Sequence, residues 1–139
     1  MFEAAIATRH RATATVTVHD NQAQPFDTSA GPELVEISIR ETFEGEMSGE
    51  SVVRALQTKH ADGTATQTSL QRVRGSLDGR EGTYVLEGRG EVAGGKVSAT
   101  WCVVPGSGTG RLSGLCGEGG FEGRFGQGSA AWLDYWFEE

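Results

Sequence analysis

Proline, cysteine and positive charge are all scarce in this chain, and each scarcity removes a class of protein. Proline occurs three times in 139 residues and charged residues make up 22%, which argues against a disordered Pro/Gly/Ser-type segment. The two cysteines, Cys102 and Cys116, are too few for a disulfide-stapled scaffold and fit free thiols in a cytoplasmic protein. A hairpin disulfide would require their two strands to pair. Twelve Lys and Arg stand against 19 Asp and Glu, a net charge of −7. With no basic run to offset it, such a surface repels phosphate, so nucleic acid is not an expected partner. The N-terminal residues M-F-E-A-A-I-A-T-R-H-R lack the basic start and apolar stretch of a signal peptide. No apolar run approaches the roughly 20 residues of a membrane helix, so no membrane contact is expected. His10, His19 and His60 have no metal-ligand spacing, either with each other or with the cysteines. Neither a metal nor another cofactor is expected.

Glycine, by contrast, is abundant: 21 residues of 139, about twice the ordinary ~7%. It is densest from Trp101 to Gly120, W-C-V-V-P-G-S-G-T-G-R-L-S-G-L-C-G-E-G-G. Glycine at that density allows the bends and close backbone approaches that a sheet needs to curl shut. Period-two alternation fills most of the remaining chain. It predicts strands over Ala12–His19, Leu34–Phe43, Met47–Lys59, Thr64–Leu77, Thr83–Glu91, Lys96–Val104, Gly117–Phe125 and Ser129–Phe137. Asn21 to Pro32 reads as one long polar loop. Asp62-Gly63, Asp78-Gly79 and Gly94-Gly95 are hairpin turns, because both central residues of such a turn need positive φ. Short turns make neighbouring strands antiparallel. The expected fold is a single all-β domain over residues 1–139, an eight-stranded antiparallel barrel whose closure leaves no open edge.

In such a barrel the apolar face should point inward. That selects Val35, Ile37, Ile39 and Phe43, then Tyr84 and Leu86, then Val97, Ala99, Trp101 and Val103, and finally Leu133, Tyr135 and Phe137. Glu41 falls on the same face, an acid among apolar neighbours. Burial would raise its pKa until it could exchange a proton near pH 7. The alternatives are a solvated place near a barrel mouth or an ion pair with an arginine such as Arg72. Trp132 and Trp136 alternate with the inward set and should point outward, an apolar patch whose simplest partner is a second copy. With the opposite parity they would line the cavity, with Asp134 as its acid.

The stretch from Trp101 to Gly119, together with D-G-T-A at Asp62–Ala65, G-T-Y-V-L at Gly82–Leu86 and L-D-Y at Leu133–Tyr135, resembles an uncharacterised bacterial family of short β-barrels. That family is related in fold to plant allene oxide cyclase. The likeness covers about residues 34–139 and implies an allene oxide cyclase-like barrel with a central cavity; it brings no assigned activity. The family pattern implies a glutamate where this chain has Gln71 and a histidine where it has Gly88. Losing both puts acid–base chemistry by that pair in doubt, and exchanging histidine for glycine should enlarge the cavity.

Gly106-Ser107-Gly108-Thr109-Gly110 lacks the Lys-Ser/Thr of a phosphate loop, since Arg111-Leu112 follows. It reads as a structural turn. The expected function is a small-molecule isomerase or cyclase acting on an apolar, partly oxygenated substrate in the barrel interior, with ring formation in natural-product biosynthesis as its specific version. Glu41, Tyr84 and Tyr135 are the expected catalytic residues. Ile37, Ile39, Phe43, Gln71, Leu86, Gly88, Trp101, Val103 and Leu133 are the expected substrate contacts, while Trp132 and Trp136 form the expected homodimer interface. The alternatives are a non-catalytic barrel binding a hydrophobic ligand, or an interaction module working through the Trp132/Trp136 face.

Overall fold

The computed structural model describes residues 8–124 and 128–138. Eight strands follow one another in a closed antiparallel barrel, each bonded to its sequence neighbours and β1 to β8. They are β1 (His10–Asp27), β2 (Glu33–Gly45), β3 (Met47–Lys59), β4 (Ala65–Leu77), β5 (Arg80–Ala93), β6 (Lys96–Val103), β7 (Leu115–Arg124) and β8 (Ser129–Phe137). The helical content among the described residues is one 3-10 turn, Gly110–Leu112. None of it is long and apolar enough to cross a membrane.

Two of the three predicted turns are two-residue hairpins; the third, at Asp62-Gly63, is a longer connection from His60 to Thr64 in which Gly63, and not Asp62, takes positive φ. Asp78 and Gly79 both take positive φ (48° and 84°), as do Gly94 and Gly95, the backbone that fits the twist of a two-residue hairpin. Asp62 accepts hydrogen bonds from the Thr64 amide and hydroxyl at 2.9 and 2.7 Å, closing the β3–β4 turn through its own side chain. The glycine-rich segment after β6 lies against β5, its backbone bonded through Val104 and Thr109 to Val85 and Thr83. This approach demands Gly82, where a Cβ would sit 2.0 Å from the Thr109 carbonyl oxygen. Leu112 is then driven into the barrel with no exposed surface. That segment, the tight β2–β3 and β4–β5 turns and the end of β8 close one end of the cylinder.

The structure corrects part of the predicted pattern. Asn21 to Asp27 is strand, not loop: β1 continues past a bulge at Val18/Asp20 and stays paired with β2 as far as Asp27↔Leu34. Both faces of this stretch are exposed, so it carries none of the apolar alternation that marks a half-buried strand. β7 starts at Leu115, two residues before the expected Gly117, because Leu115 pairs with Phe137. Phe125, the expected end of that strand, lies outside the described residues. Cys102 and Cys116 are free thiols; the register sets Cys102 opposite Glu118 and Cys116 opposite Trp136.

One feature of the pairing positions the site. β1 is bonded to β8 only from His10↔Tyr135 to Val16↔Ser129, whereas its pairing with β2 continues to Asp27. From Thr17 onward β1 has a neighbour on one side only among the described residues. The cylinder is therefore closed all round at one end and gapped along its flank toward the other.

Candidate functional site

The barrel interior falls into two unlike halves. In the closed half, Phe43, Met47, Val73, Leu77, Tyr84, Leu86, Val103, Leu112, Leu115 and Leu133 belong to one continuous apolar cluster and are almost without exposed surface. An eight-stranded barrel is just wide enough for its own side chains to fill, and large residues fill it here. Toward the other end the inward positions shrink. The register brings Ser69, Gly88, Trp101 and Gly119 into one row across β4–β7, and Gln67, Gly90, Ala99 and Phe121 into the next. Facing them, Val35, Ile37 and Ala55, with Ile39 against them, form a second cluster that does not join the first. The two apolar clusters are separate, and Val35, Ile37 and Ala55 of the second are themselves buried. At the rim Gln57 donates to the Gln67 carbonyl at 3.0 Å, and a recess of about 1040 Å³ lies there, lined mostly by outward residues such as Thr58, Thr68, Arg89, Glu91 and Thr100, with Gln57, Gln67, Gly90, Ala99 and Phe121 at its inner edge.

Phe43, Trp101 and Phe121 separate the halves. Their ring centroids stand 6.3 Å (Phe43–Trp101) and 5.4 Å (Trp101–Phe121) apart, favourable tilted aromatic contacts. Trp101 donates its ring N–H to the Trp132 carbonyl at 3.2 Å, which fixes the indole.

Beside this aromatic floor stands the interior's polar group. Gln71 donates one amide hydrogen to Glu41 Oε1 at 2.5 Å and the other to Ser51 Oγ at 2.6 Å. Gln71 and Ser51 are the two buried polar residues, 5% and 3% exposed. Glu41 keeps some exposure because it lies opposite Val18, where β1 loses β8 and the flank opens. Burial pushes the Glu41 carboxyl up to about 7, the Gln71 hydrogen bond only partly opposing it. Its carboxyl is held by one oxygen. Among the described residues no cation faces it: Arg72 is exposed on the outer face, Arg40 pairs with Asp20 at 3.9 Å, and His19 bonds Thr42 Oγ1 at 2.8 Å.

The other expected site residues separate along the same divide. Ile37, Ile39, Gln71 and Gly88 lie on the inward face of the open half with Glu41, and Phe43 and Trp101 stand at the boundary between the halves. Leu86, Val103 and Leu133 belong to the large apolar cluster, 1%, 4% and 0% exposed. Tyr84 is fully buried and its hydroxyl has no hydrogen-bond partner. Tyr135 is at the closed end, where its hydroxyl donates to Asp78. Neither tyrosine hydroxyl is hydrogen-bonded to Glu41. Gly88 adds little room: a Cβ there would lie 2.9 Å from Ser69 Oγ, so Ser69 and Trp101 have closed over the position. Trp132 and Trp136 point outward as expected, and Asp134 is held by Arg11 at 2.7 and 2.9 Å rather than serving the cavity. Neither tryptophan is bare: Trp132 lies over Gly120 and the Arg9 guanidinium stacks 4.3 Å from the Trp136 ring.

Ser51 is the site residue that sequence reasoning missed. The Asp62-Gly63 turn implies it: that hairpin pairs Val53 with Gln71 and Ser51 with Val73, and inward parity then puts Ser51 beside Gln71. No cluster of three or more His, Cys, Asp or Glu able to hold a metal occurs among the described residues.

Fold and site together define a class: a small closed β-barrel with a packed apolar cluster at one end and a buried carboxyl–amide–hydroxyl group in its interior. Residues 11–135 match the family described as "Protein of unknown function (DUF3224)", and the chain belongs to that family. Among solved structures it is similar to a protein of unknown function of the same family from Shewanella oneidensis MR-1. The likeness is 27% identity over 95% of this chain and 99% of that one, with a TM-score of 0.77. No curated protein matches. These comparisons bear out a barrel family with a bacterial member and carry no link to allene oxide cyclase.

Proposed function

We propose that the open half of the barrel is a small-molecule binding chamber, its walls taking the apolar body of the ligand and Glu41 making the polar contact. The observation that carries this reading is the Glu41–Gln71–Ser51 group lying between two apolar clusters that do not meet. Side chains of the closed half fill their own space, so selection for packing alone would not keep a carboxyl, an amide and glycines inside the other half. Small-molecule sites combine such apolar walls with a few fixed polar atoms.

A second reading, an isomerase or cyclase, is favoured by one specific feature: a carboxyl brought to about 7 can take a proton from one carbon and return it to another. Against a carbonyl substrate stands the commitment of both Gln71 amide hydrogens and the sealing of Tyr84, which leave the Ser51 hydroxyl as the one donor beside Glu41 among the described residues. Binding is therefore the leading reading and proton transfer an addition to it.

Titration with 1-naphthylmethanol, followed by calorimetry and by Trp101 fluorescence, tests the chamber. One-to-one binding abolished by Ala55→Trp supports it; absence of binding overturns it. For the second reading, 2-tetralone is incubated with the protein in deuterated buffer. Accelerated exchange at its α-carbon that disappears in Glu41→Gln supports isomerisation, and exchange at the buffer rate overturns it.

A further inference from the structure

The hydrogen-bond inventory of the proposed chamber restricts what can occupy it. Beside Glu41 the nitrogen donors are committed. Gln71 gives one amide hydrogen to Glu41 and one to Ser51, and the Trp101 ring N–H is bound to the Trp132 carbonyl. The Ser51 hydroxyl keeps its own hydrogen to donate, while the second Glu41 oxygen and the Gln71 carbonyl remain as acceptors. Neither of these oxygens is sealed, since the Tyr84 hydroxyl is the fully buried side-chain polar atom without a partner among the described residues, so both can accept from a ligand.

The charge inventory points the same way. Every element packed against Glu41 presents it with a neutral group. β1 offers Val18, while His19 and Asp20 turn outward to Thr42 and Arg40. β3 offers Ser51, with Glu50 and Val52 on the outer face. β4 offers Gln71, with Arg72 exposed outside. Along β2 the inward neighbours are Ile39 and Phe43, and Phe43 leads to Trp101 on β6. Lys59 on β3 is exposed at the far rim beside Ala65. A buried carboxylate without a counter-charge is a strong local preference for a cation.

On these grounds we infer that the chamber selects a ligand carrying one protonated amine on an apolar body, with its N–H groups directed at Glu41 and the Gln71 carbonyl. This rests on the binding reading above and names its ligand class. A carboxylate-bearing ligand of the same shape is rejected, since it would bring a like charge against Glu41 and leave the acceptors unpaired. The preference holds only while Glu41 is ionised, so it is present above neutral pH and fades below it.

Three probes with a shared aromatic body separate these contributions: 1-naphthylmethylamine, 1-naphthylmethanol and 1-naphthylacetate. Calorimetry at pH 8 is expected to show the amine binding at least tenfold more tightly than the alcohol, with no binding of the acid. At pH 5.5, where the amine stays charged and Glu41 takes a proton, the gap is expected to shrink below about threefold. Glu41→Gln should bring amine and alcohol together at both pH values, with circular dichroism showing that the variant is folded. Glu44→Gln, on the outer face, should leave the preference intact and so excludes general attraction to an acidic surface. Equal binding of amine and alcohol by the unaltered protein at pH 8 would overturn the amine preference and leave the chamber standing. So would a preference that survives Glu41→Gln. Failure of all three probes to bind would overturn both.

Discussion

The two halves of this barrel are built from the same eight strands, yet they solve opposite problems. In the closed half, Leu77, Leu86, Leu112, Leu115 and Leu133 meet across the axis with Tyr84 and Phe43, and their combined bulk excludes water. In the open half, the same strands carry Gly88, Gly90, Ala99, Ser51 and Ser69 at inward positions, so less side-chain volume is available to fill the centre. Burial at the closed end supplies the stability; the other end spends some of it on a carboxyl held away from bulk water. Functional chambers in small barrels follow from this division, since one domain of this size must hold a core and a cavity within a single cylinder.

The comparison breaks most visibly under truncation. Leu133→Ala removes a side chain with no exposed surface and should cost about 3–5 kcal/mol, transfer and cavity terms together. Ile39→Ala, on the half-exposed wall of the hollow, should cost less than about half of that. Urea unfolding of both variants decides it, and equal costs would mean the open half is packed as tightly as the closed one.

The next effect is electrostatic and has a definite sign. The folded-state pKa of Glu41 is raised to about 7 from the 4.5 of a free side chain, so between those values the folded protein holds a proton that the unfolded chain has released. Stability therefore falls as pH rises from about 4.5 to 7 and is level above, by an amount on the order of 3 kcal/mol. Glu41→Gln should flatten this part of the pH–stability curve and be more stable than the parent at pH 8 by a similar amount. Denaturation midpoints across pH 4–8 measure it.

Backbone crowding gives a third contrast. A Cβ at Gly82 would lie 2.0 Å from the Thr109 carbonyl oxygen, whereas at Gly90 the nearest atom is the Ser98 carbonyl oxygen at 3.1 Å. Gly82→Ala should cost about 1–3 kcal/mol or more, and Gly90→Ala under about 1 kcal/mol, read from melting curves. The smallest effect is expected at Tyr84, whose buried hydroxyl has no partner. Tyr84→Phe should be neutral or stabilising by up to about 1 kcal/mol, and naphthylmethanol binding should be unchanged. Loss of binding in that variant would mean that the two halves are coupled.

How much of this was legible in the residues varies with the range of the interaction. The hairpin turns were, because Asp78-Gly79 and Gly94-Gly95 demand positive φ locally. The inward faces of β2, β6 and β8 were also legible, since strict alternation leaves little choice of parity. Glu41 was found as an acid on an apolar face, but its partner was not. Gln71 is bonded to it across an intervening strand, and no local pattern reports such a contact. The second half of β1 was hidden because a strand exposed on both faces has a loop-like composition. The roles given to Tyr84, Leu86, Val103 and Leu133 failed to separate core from cavity, because an inward apolar residue reads alike in either.

Period-two alternation and glycine turns, by themselves, determined that this chain forms an antiparallel all-β barrel, since both act through backbone conformation within a few residues. Tertiary structure alone decided which end holds the large apolar cluster, and that Glu41 lies where β8 leaves β1. The physical reason is that space at the centre of a cylinder depends on the summed volumes of side chains from all eight strands, brought to one level by their stagger.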